Sequence, residues 1–447
     1  MIVRKLIWSS LFMISLHLKT AAQERIGRLN LQQAVETAIL NNLDVKQSGL
    51  QQERAGVNLR QARANLLPTL SANIEHTLNQ GRSIDLYTNS YINQQYTSAF
   101  YNLTGNLTLF NGLRLLNNLK SNQYAYEATS MEWQQTKDKL MLDVILAYLD
   151  ILTNTDLFAQ AERQASVTQK QVDRLEIMNQ QGAIKPSDLY DLRGQLGDSK
   201  LAIINSKNNM NASKLRLAQL MGVPYNENLE VERLTADQFD MNYKAIPDTI
   251  YEVALQQLAL VKGIELRKKS AEKAVQAARG NFFPSLGLGG GYYTNYSSTA
   301  RDSSLRKISY YNQLSNNYST YIGLGINIPI LNGFRTRTQV ALAKIDLKNA
   351  TYIAQNTQIQ LKQFIEQDYF NMTAALSRYQ ALMEQVSALT ESFRAAEIRF
   401  NAGVGTSVDY FTTKNNLDRA NANLIIARYD YVLRTKILDY YQARPLW

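Results

Sequence analysis

The chain of 447 residues contains no cysteine and only two histidines. Without cysteine there is no disulfide framework, no thiolate zinc site and no thiol to carry a lipid anchor. His17 lies in an apolar N-terminal run, so only His76 remains elsewhere, which excludes a histidine-based metal or catalytic cluster within one chain. Nucleophile elbows, phosphate-binding loops and metal-ligand motifs are also missing from the sequence. We therefore expect neither an enzyme nor a cofactor.

Long apolar runs are confined to the N-terminus. Met1–Lys5 is basic, Leu6–Leu18 is apolar, and small residues follow at Thr20–Ala22. This order is typical of a secretory signal peptide, which we place at residues 1–22. No later stretch approaches the roughly 18–20 consecutive apolar residues of a spanning helix, so the sequence predicts no transmembrane helix.

Acidic residues are fewer than basic ones, and the net charge is +10. Part of this excess belongs to the predicted signal peptide. The densest basic cluster elsewhere is Arg267–Lys269, with Glu265 and Glu272 close to it in sequence. Such a mixed run is typical of a solvated helix face, so we expect no nucleic-acid partner.

A strict period of two predicts a β-strand with two different faces at Tyr321–Ile330. Its odd positions are small or polar, and its even positions form an aliphatic row of Ile322, Leu324, Ile326, Ile328 and Ile330. Residues 102–109 alternate in the same way, with an aliphatic row of Leu103, Leu107 and Leu109. In a soluble sheet these rows would face a core, and in a transmembrane barrel they would face lipid. The strands alone leave both alternatives open.

Two parts of the chain carry the same motifs in the same order. The motif Ala62–Pro68 (ARANLLP) returns as Ala278–Pro284 (ARGNFFP), and Leu109–Arg114 (LFNGLR) returns as Ile330–Arg335 (ILNGFR). The spacing from a glycine to an aspartate recurs as well, at Gly182–Asp188 and Gly403–Asp409. The sequence therefore predicts an internal duplication.

Each copy has the same predicted plan. It begins with one long helix, which starts with a capping box at Asn30 or Thr249 and ends before Pro68 or Pro284. A β-hairpin with a long polar loop follows, at residues 69–110 and 285–331. A helix without proline or glycine comes next, at residues 113–181 and 334–402, and a shorter helix closes the copy. The predicted copies are residues 23–221 and 248–447, joined by a linker at residues 222–247.

The number of strands limits how such a chain can enter a membrane. Backbone exposed to lipid must be fully hydrogen-bonded, so a spanning sheet has to close. Four strands cannot close a barrel, for which about eight is the minimum. A membrane protein of this sequence would therefore be an oligomer, and three copies would supply twelve strands. The remaining alternative is a soluble β-hairpin packed on helices.

The whole mature chain resembles the TolC-type outer-membrane efflux proteins, through the duplicated motifs above taken together and in order. The resemblance implies an α+β membrane protein, a homotrimer whose four strands per chain build a 12-stranded outer-membrane β-barrel that is continued by a long periplasmic α-helical barrel. It implies a passive exit duct for efflux or type I secretion in a Gram-negative envelope. It also implies two partners, a periplasmic adaptor protein and an inner-membrane pump of RND or ABC type. The substrate stays open, because the pump largely chooses the cargo of a duct.

Two other kinds of envelope protein contain long helices. A structural or adhesive coiled-coil protein without transport activity would explain the helices but would not need strands with an aliphatic face. A periplasmic adaptor would need lipoyl-like and barrel modules around one helical hairpin. This sequence predicts two helical hairpins and no such modules. We therefore keep the coiled-coil protein as the alternative to a duct.

The candidate gate lies in the two turns between the long and the short helices. Gly182 and Gly403 suit a left-handed helix C-cap, and the serines and aspartates that follow suit a helix N-terminus. Capping alone would explain these residues. In a trimer, however, Asp188 and Asp409 would also form carboxylate rings around an entrance, and such rings favour cations.

The resemblance implies roles for the turn residues. It implies that Asp409 lines the entrance constriction and that Asp188 joins the bonds that hold the entrance shut. Two positions depart from the family pattern. Thr412 stands where the family has a second entrance aspartate, and Gly405 stands where it has the arginine that locks the closed tip. We expect a weaker acidic ring and a less firmly latched closed state, unless Lys185 supplies the missing charge.

Overall fold

The computed structural model describes residues 28–85, 89–233 and 243–446. The predicted signal peptide and the middle of the predicted linker lie outside these residues. The helices are α1 (Leu31–Asn41), α2 (Leu43–Ala64), α3 (Arg114–Gln180), α4 (Pro186–Met221), α5 (Pro247–Gln257), α6 (Ala259–Gly280), α7 (Tyr310–Asn316), α8 (Arg335–Asn401) and α9 (Ser407–Tyr441). The strands are β1 (Thr69–Asn79), β2 (Arg82–Ile84), β3 (Tyr91–Asn93), β4 (Tyr96–Asn111), β5 (Ser285–Ser297) and β6 (Ser319–Asn327).

The chain divides into two units. One unit falls within Met1–Gln47, Gln135–Gln257 and Leu361–Trp447, and it contains the turns between the long and short helices. The other falls within Ser48–Gln134 and Leu258–Gln360, and it contains the sheet. We call them the helical unit and the sheet unit.

The two longest helices, α3 and α8, have 67 residues each. Each follows a turn in which two consecutive residues adopt positive φ, Gly112 and Leu113 at 63° and 62°, and Gly333 and Phe334 at 62° and 61°. At Gly112 a Cβ atom would lie 2.3 Å from the carbonyl oxygen of Gly280, so only glycine fits. The repeated Asn-Gly motif is therefore the turn that leads each copy from the sheet into its long helix. Among the described residues, no helix combines the length and the apolarity that a membrane crossing requires.

We predicted one continuous helix at the start of each copy, and this prediction is wrong. In each copy a single non-helical residue divides the predicted helix into two. Asn42, between α1 and α2, has an extended ψ of 130°, and Leu258, between α5 and α6, has a ψ of 133°. The Asn42 Oδ1 atom accepts hydrogen bonds from the N–H groups of Asp44 and Val45, at 2.9 and 3.2 Å. Its side chain therefore starts a new helix as soon as α1 ends.

The two predicted capping boxes have different outcomes. The box at Asn30 is confirmed, because Asn30 and Gln33 bond to each other's backbone N–H groups. The box at Thr249 is wrong, because α5 begins two residues earlier at Pro247. Proline suits that first helical position, where a backbone N–H would have no helical partner.

The sheet is antiparallel, with the strand order β1-β4-β5-β6. Pairing between β1 and β4 and between β5 and β6 forms one hairpin in each copy, and pairing between β4 and β5 joins the copies. Leu107 lies opposite Leu288, which in turn lies opposite Leu324, so the predicted aliphatic rows fall on one face. The opposite face carries mainly asparagine, serine, threonine and glycine, together with Glu75, Tyr96, Phe100, Tyr293 and Tyr321. The strands at the edges of this sheet are β1 and β6.

Two residues predicted for the aliphatic row of β6 lie outside the strand. The strand ends at Asn327, so Ile328 and Ile330 belong to the segment that leads to the next turn. The physical reason is Pro329, which has no N–H group to continue the ladder.

Leu109 also departs from its predicted face. The register between β4 and β5 shifts between Thr108 and Phe110, so Leu109 is the extra residue of a β-bulge. Beyond the bulge, Phe110 lies opposite Leu286 and takes the place that we assigned to Leu109.

The polar loops of both hairpins contain further structure. The first carries the small β2–β3 sheet, and the second carries α7. The Asp85 carboxylate in the first loop accepts a hydrogen bond of 2.5 Å from the Thr299 hydroxyl in the second. Gln313 is fully buried and bonds to the backbone N–H and carbonyl of Ser297, at 2.8 and 3.0 Å. The contact between Asp85 and Thr299 therefore joins the two loops, whereas the Gln313 contacts hold α7 to the end of β5 within the second hairpin.

In the helical unit, the first helix of each copy packs against the last helix of the same copy, α1 against α4 and α5 against α9. The segment just before α1 also pairs with the predicted linker, because Leu29 forms a parallel bridge with Val231. The buried Tyr148 hydroxyl lies 2.7 Å from the Glu232 carbonyl oxygen and fixes this bridge to α3.

Candidate functional site

The turn of the first copy joins α3 to α4. Gly182 has a φ of 69°, and the N–H of Ala183 donates to the carbonyl of Met178 at 2.9 Å. This is the Schellman arrangement, which uses a left-handed glycine to satisfy the last carbonyls of a helix. α4 then begins at Pro186, and Lys185 before it is the N-cap residue but makes no capping hydrogen bond through its side chain.

The turn of the second copy closes α8 in the same way. Gly403 has a φ of 76°, and the N–H of Val404 donates to the carbonyl of Arg399 at 3.0 Å. Here the following helix has a side-chain cap, because the Thr406 hydroxyl oxygen accepts a hydrogen bond from the N–H of Asp409 at 3.1 Å. The threonine replaces the serine that the sequence suggested, since α9 begins at Ser407 itself.

The turns differ two residues after their glycines. Gly405 lies against the end of α8, where a Cβ atom would be 2.9 Å from the backbone nitrogen of Phe400. The matching residue of the first copy is Ile184, whose side chain packs on an apolar cluster between α3 and α4. The cluster consists of Val172, Leu175, Leu189, Leu192 and Leu196. One turn is therefore anchored by a side chain and the other by close backbone contact.

Two side-chain contacts join the turns of the two copies. The Ser407 hydroxyl, which is buried, donates to the Asp188 Oδ1 atom at 3.0 Å. The Arg174 guanidinium, near the end of α3, donates to the Asn401 Oδ1 atom at 2.6 Å. A cleft of about 330 Å³ lies among these residues. The tip is thus one site that both copies build.

Asp409 is engaged in a different way. Its Oδ2 atom lies 2.8 Å from the Arg399 Nη2 atom, across the turn, and both side chains remain about half exposed. Thr412 and Lys185 are exposed. Among the described residues, Lys185 has no ion-pair partner, so its charge is not committed to either aspartate.

An aromatic cluster supports the second turn. Tyr410 is buried between the rings of Phe393, Phe400 and Phe411, whose centroids lie 4.9–5.6 Å from its own. Burial, with the negative charge of Glu397 added to it, raises the pKa of Tyr410 to about 12. The phenol therefore stays neutral and acts as an anchor between α8 and α9.

Sequence reasoning missed two members of this site, Arg174 and Arg399, and it assigned Ser407 to the helix N-terminus rather than to a contact with Asp188. Arg399 and Asp409 are separated by ten residues and meet only because the turn has this length and handedness. The contact between Ser407 and Asp188 joins the copies, and the repeat carries no signal for it. The duplicated spacing predicted that the turns are equivalent but gave no partner for any side chain.

The second candidate region is the aliphatic face of the sheet. Ile322, Leu324 and Ile326 are 80%, 67% and 68% exposed in one chain, and Leu103 is 40% exposed. Exposed rows of this length across four strands are unusual for a protein surface in water. No group of three or more histidine, cysteine, aspartate and glutamate side chains within residues 28–85, 89–233 and 243–446 could hold a metal ion.

The chain is similar to known proteins over most of its length, so the similarity includes both regions. The chain is 25% identical over 418 residues to the outer membrane protein TolC of Salmonella enteritidis, covering 92% of this chain and 81% of that protein. It is 23% identical over 415 residues to the toxin and drug export protein A of Aggregatibacter actinomycetemcomitans, covering 90% and 83%. The crystal structure of the outer membrane protein VceC of Vibrio cholerae shares the fold, with a TM-score of 0.78 at 15% identity over 92% of this chain and 94% of that one. The sequence model of the outer membrane efflux protein family matches residues 34–223 and 250–438. The chain belongs to the outer membrane efflux protein family.

Proposed function

We propose that this protein is the outer-membrane channel of a tripartite efflux or type I secretion system, through which substrates leave the cell passively. It is an outer-membrane protein by family, and the channel is not an enzyme. A homotrimer would close three four-stranded sheets into a 12-stranded barrel, and the helices of three chains would form the duct on the periplasmic side. A periplasmic adaptor and an inner-membrane RND or ABC pump would deliver the cargo.

The register of the sheet is the observation that carries this proposal. Its aliphatic residues share one face and its small and polar residues share the other, as lipid and a wet lumen require. Its edge strands β1 and β6 would each leave a row of backbone groups unpaired in lipid, and a neighbouring sheet can satisfy both. A coiled-coil adhesive protein needs neither feature.

We further propose that the tip is the periplasmic gate. Asp188 and Ser407 would hold the two turns of a chain together in the closed state, and Asp409 would face the entrance with its charge partly compensated by Arg399. One of the relatives is named for the export of both toxins and drugs, so membership of the family does not identify the cargo.

The topology can be tested with single cysteines, because the chain has no native cysteine to compete. We expect a cysteine at Ser303, in the loop of the second hairpin, to react with an impermeant maleimide on intact cells. A cysteine at Ser187, at the helical tip, should react only after the outer membrane is permeabilised. Both positions are exposed in the chain, so a difference in labelling reports sidedness.

The same cells provide the test of assembly. The wild-type protein should fractionate with outer membranes and migrate as a heat-dissociable oligomer. Recovery as a soluble monomer, or labelling of Ser187→Cys on intact cells with Ser303→Cys protected, would refute the proposal.

A further inference from the structure

A groove with a basic rim and a phenylalanine floor lies beside the sheet, between α6 and α8. It has a volume of about 550 Å³. Its residues are Arg279, Phe282, Phe283, Arg337, Val340, Ala341 and Lys344, and we call it the basal groove. Phe282 and Phe283 are 51% and 56% exposed, although both immediately precede β5. The groove therefore combines exposed aromatic surface with three cations.

The three cations are available to a ligand. Among the described residues, Arg279, Arg337 and Lys344 take part in no ion pair, and no acidic side chain lines the groove. Arg337 stacks over the Phe334 ring, with its Cζ atom 5.4 Å from the ring centroid, which leaves the donors of its guanidinium edge free. Unpaired cations gathered around an apolar surface favour an anion that carries apolar groups.

The groove opens on the same side as the aliphatic face of the sheet. α8 turns Thr336 and Val340 inward, since both are buried. At 100° per residue, Arg335 and Gln339 lie on one side of this buried line, and the two cations that α8 contributes to the basal groove, Arg337 and Lys344, lie on the other. Arg335 and Gln339 border a second cleft together with Asn111, Ser285 and Asn327, which belong to the polar face, and Phe283 lies between this cleft and the basal groove. The basal groove therefore lies on the outer side.

The first copy supplies no equivalent groove. Aligning the proline motifs places Leu66 and Leu67 opposite the two phenylalanines, while Arg63 matches Arg279. Aligning the Asn-Gly turns places Leu116 opposite Arg337 and Gln123 opposite Lys344. A second cation of the first copy, Lys120, stands opposite Ala341. The first copy thus has two cations and two leucines at positions where the second copy has three cations and two phenylalanines. The second copy carries this chemistry beyond what the fold requires.

We infer that the basal groove binds an anionic glycerophospholipid of the leaflet nearest the helices. Arg279, Arg337 and Lys344 would contact the phosphate, and Phe282 and Phe283 would lie at the level of the headgroups. The inference rests on the proposed function, which places the aliphatic face in lipid. The groove adjoins the start of β5, at the helical end of the sheet, so lipopolysaccharide of the opposite leaflet would not reach it.

An acyl chain can follow the sheet from this position. Gly105 and Gly290 are paired in the register and leave a depression of about 490 Å³ on the aliphatic face. Leu70, Leu288, Tyr292 and Ile322 border it. The depression would take a flexible chain, whereas a strand face filled by leucines would not.

The test is lipid binding to the purified full-length protein by native mass spectrometry, with phosphatidylglycerol, phosphatidylethanolamine and lipopolysaccharide as separate probes. We expect phosphatidylglycerol to bind more tightly than phosphatidylethanolamine. The exchange Arg337→Leu with Lys344→Gln, which copies the first repeat, should weaken phosphatidylglycerol binding by about fivefold for each cation removed. Lys200→Gln, an exposed charge removed in the helical unit, is the matched control and should leave binding unchanged.

The outcomes separate this inference from the proposed function. If the wild type and the double variant both assemble in the outer membrane but bind the two phospholipids alike, the inference fails and the channel stands. Preferential binding of lipopolysaccharide would also overturn it. If the wild type does not fractionate with outer membranes, the proposed function itself fails.

Discussion

The two copies of this chain have the same backbone plan, but their side chains differ at the helical tip and at the base beside the sheet. Both long helices close with the same left-handed glycine, and both first helices break at matching residues, Asn42 and Leu258. At the tip, however, Ile184 of the first copy stands opposite Gly405 of the second. At the base, Leu116 stands opposite Arg337. The duplicated fold therefore keeps the left-handed glycine that ends each long helix, while the side chains around the tip and the base diverge.

We expect substitutions on the aliphatic face of the sheet to have the largest effect on stability, and to have the same effect in both copies. Replacing Leu324 by arginine in the second copy, or Leu103 in the first, should cost about 2–4 kcal/mol if the face lies at the bilayer midplane. The measurement is the free energy of unfolding in lipid vesicles, by urea titration. Thr104→Arg is the control on the opposite face and should be much milder.

A tolerated arginine at Leu103 together with a damaging one at Leu324 would mean that only one hairpin meets lipid. Equal effects at Leu103 and Thr104 would remove the two-faced barrel altogether.

Exchanging the divergent tip residues should have the next largest effect. Gly405→Ile forces a side chain into the end of α8, so we expect a local destabilisation of about 1–3 kcal/mol. Ile184→Gly removes a contact with the apolar cluster and adds backbone freedom, and should cost about 1–2 kcal/mol. Hydrogen exchange of the amides around each turn measures both values. If each exchange leaves protection unchanged, the difference between the turns has no structural consequence.

The features that could be predicted from the sequence are those that follow from a periodic pattern, such as the face of a strand on which a side chain lies. Alternation over β6 was enough to place Leu324 on a uniform face, because neighbouring antiparallel strands keep side chains in phase. The bulge at Leu109 could not be predicted, since one extra residue leaves the local pattern intact and changes only the pairing. The break at Leu258 escaped for a similar reason: leucine is a good helix former, and tertiary packing overrides a weak propensity.

At the tip, the sequence predicted the conformations but not the contacts. Gly182 and Gly403 were readable because few residues adopt positive φ, and the structure confirms that conformation. The partners of Asp188 and Asp409 were not readable, because one lies in the other copy and the other lies across a turn. Whether these aspartates gate a channel stays a prediction.

The contact between the turns can be broken from either side. Ser407→Ala removes the donor and Asp188→Ala removes the acceptor, and each should raise the open probability of the channel in planar-bilayer recordings by a few fold. The double variant should add little to either single variant, because all three lack the same hydrogen bond. Additive effects would show that the two residues act independently and that the contact does not hold the turns together.

The smallest change in stability is expected at the ion pair of the second turn, between Arg399 and Asp409. Variants of this pair also distinguish a capping role of Asp409 from a role in the channel entrance. Arg399 and Asp409 are both about half exposed, so their pair contributes only about 0–1 kcal/mol, and either variant should unfold almost as the wild type does. Their effects on conduction should have opposite signs. Asp409→Asn removes a carboxylate from the entrance and should lower cation selectivity, whereas Arg399→Gln leaves that carboxylate uncompensated and should raise cation selectivity and block by multivalent cations. Reversal potentials in a salt gradient measure both. If Arg399→Gln shifts selectivity in the same direction as Asp409→Asn, or if neither variant shifts it, Asp409 acts on the helix N-terminus alone and the entrance lies elsewhere.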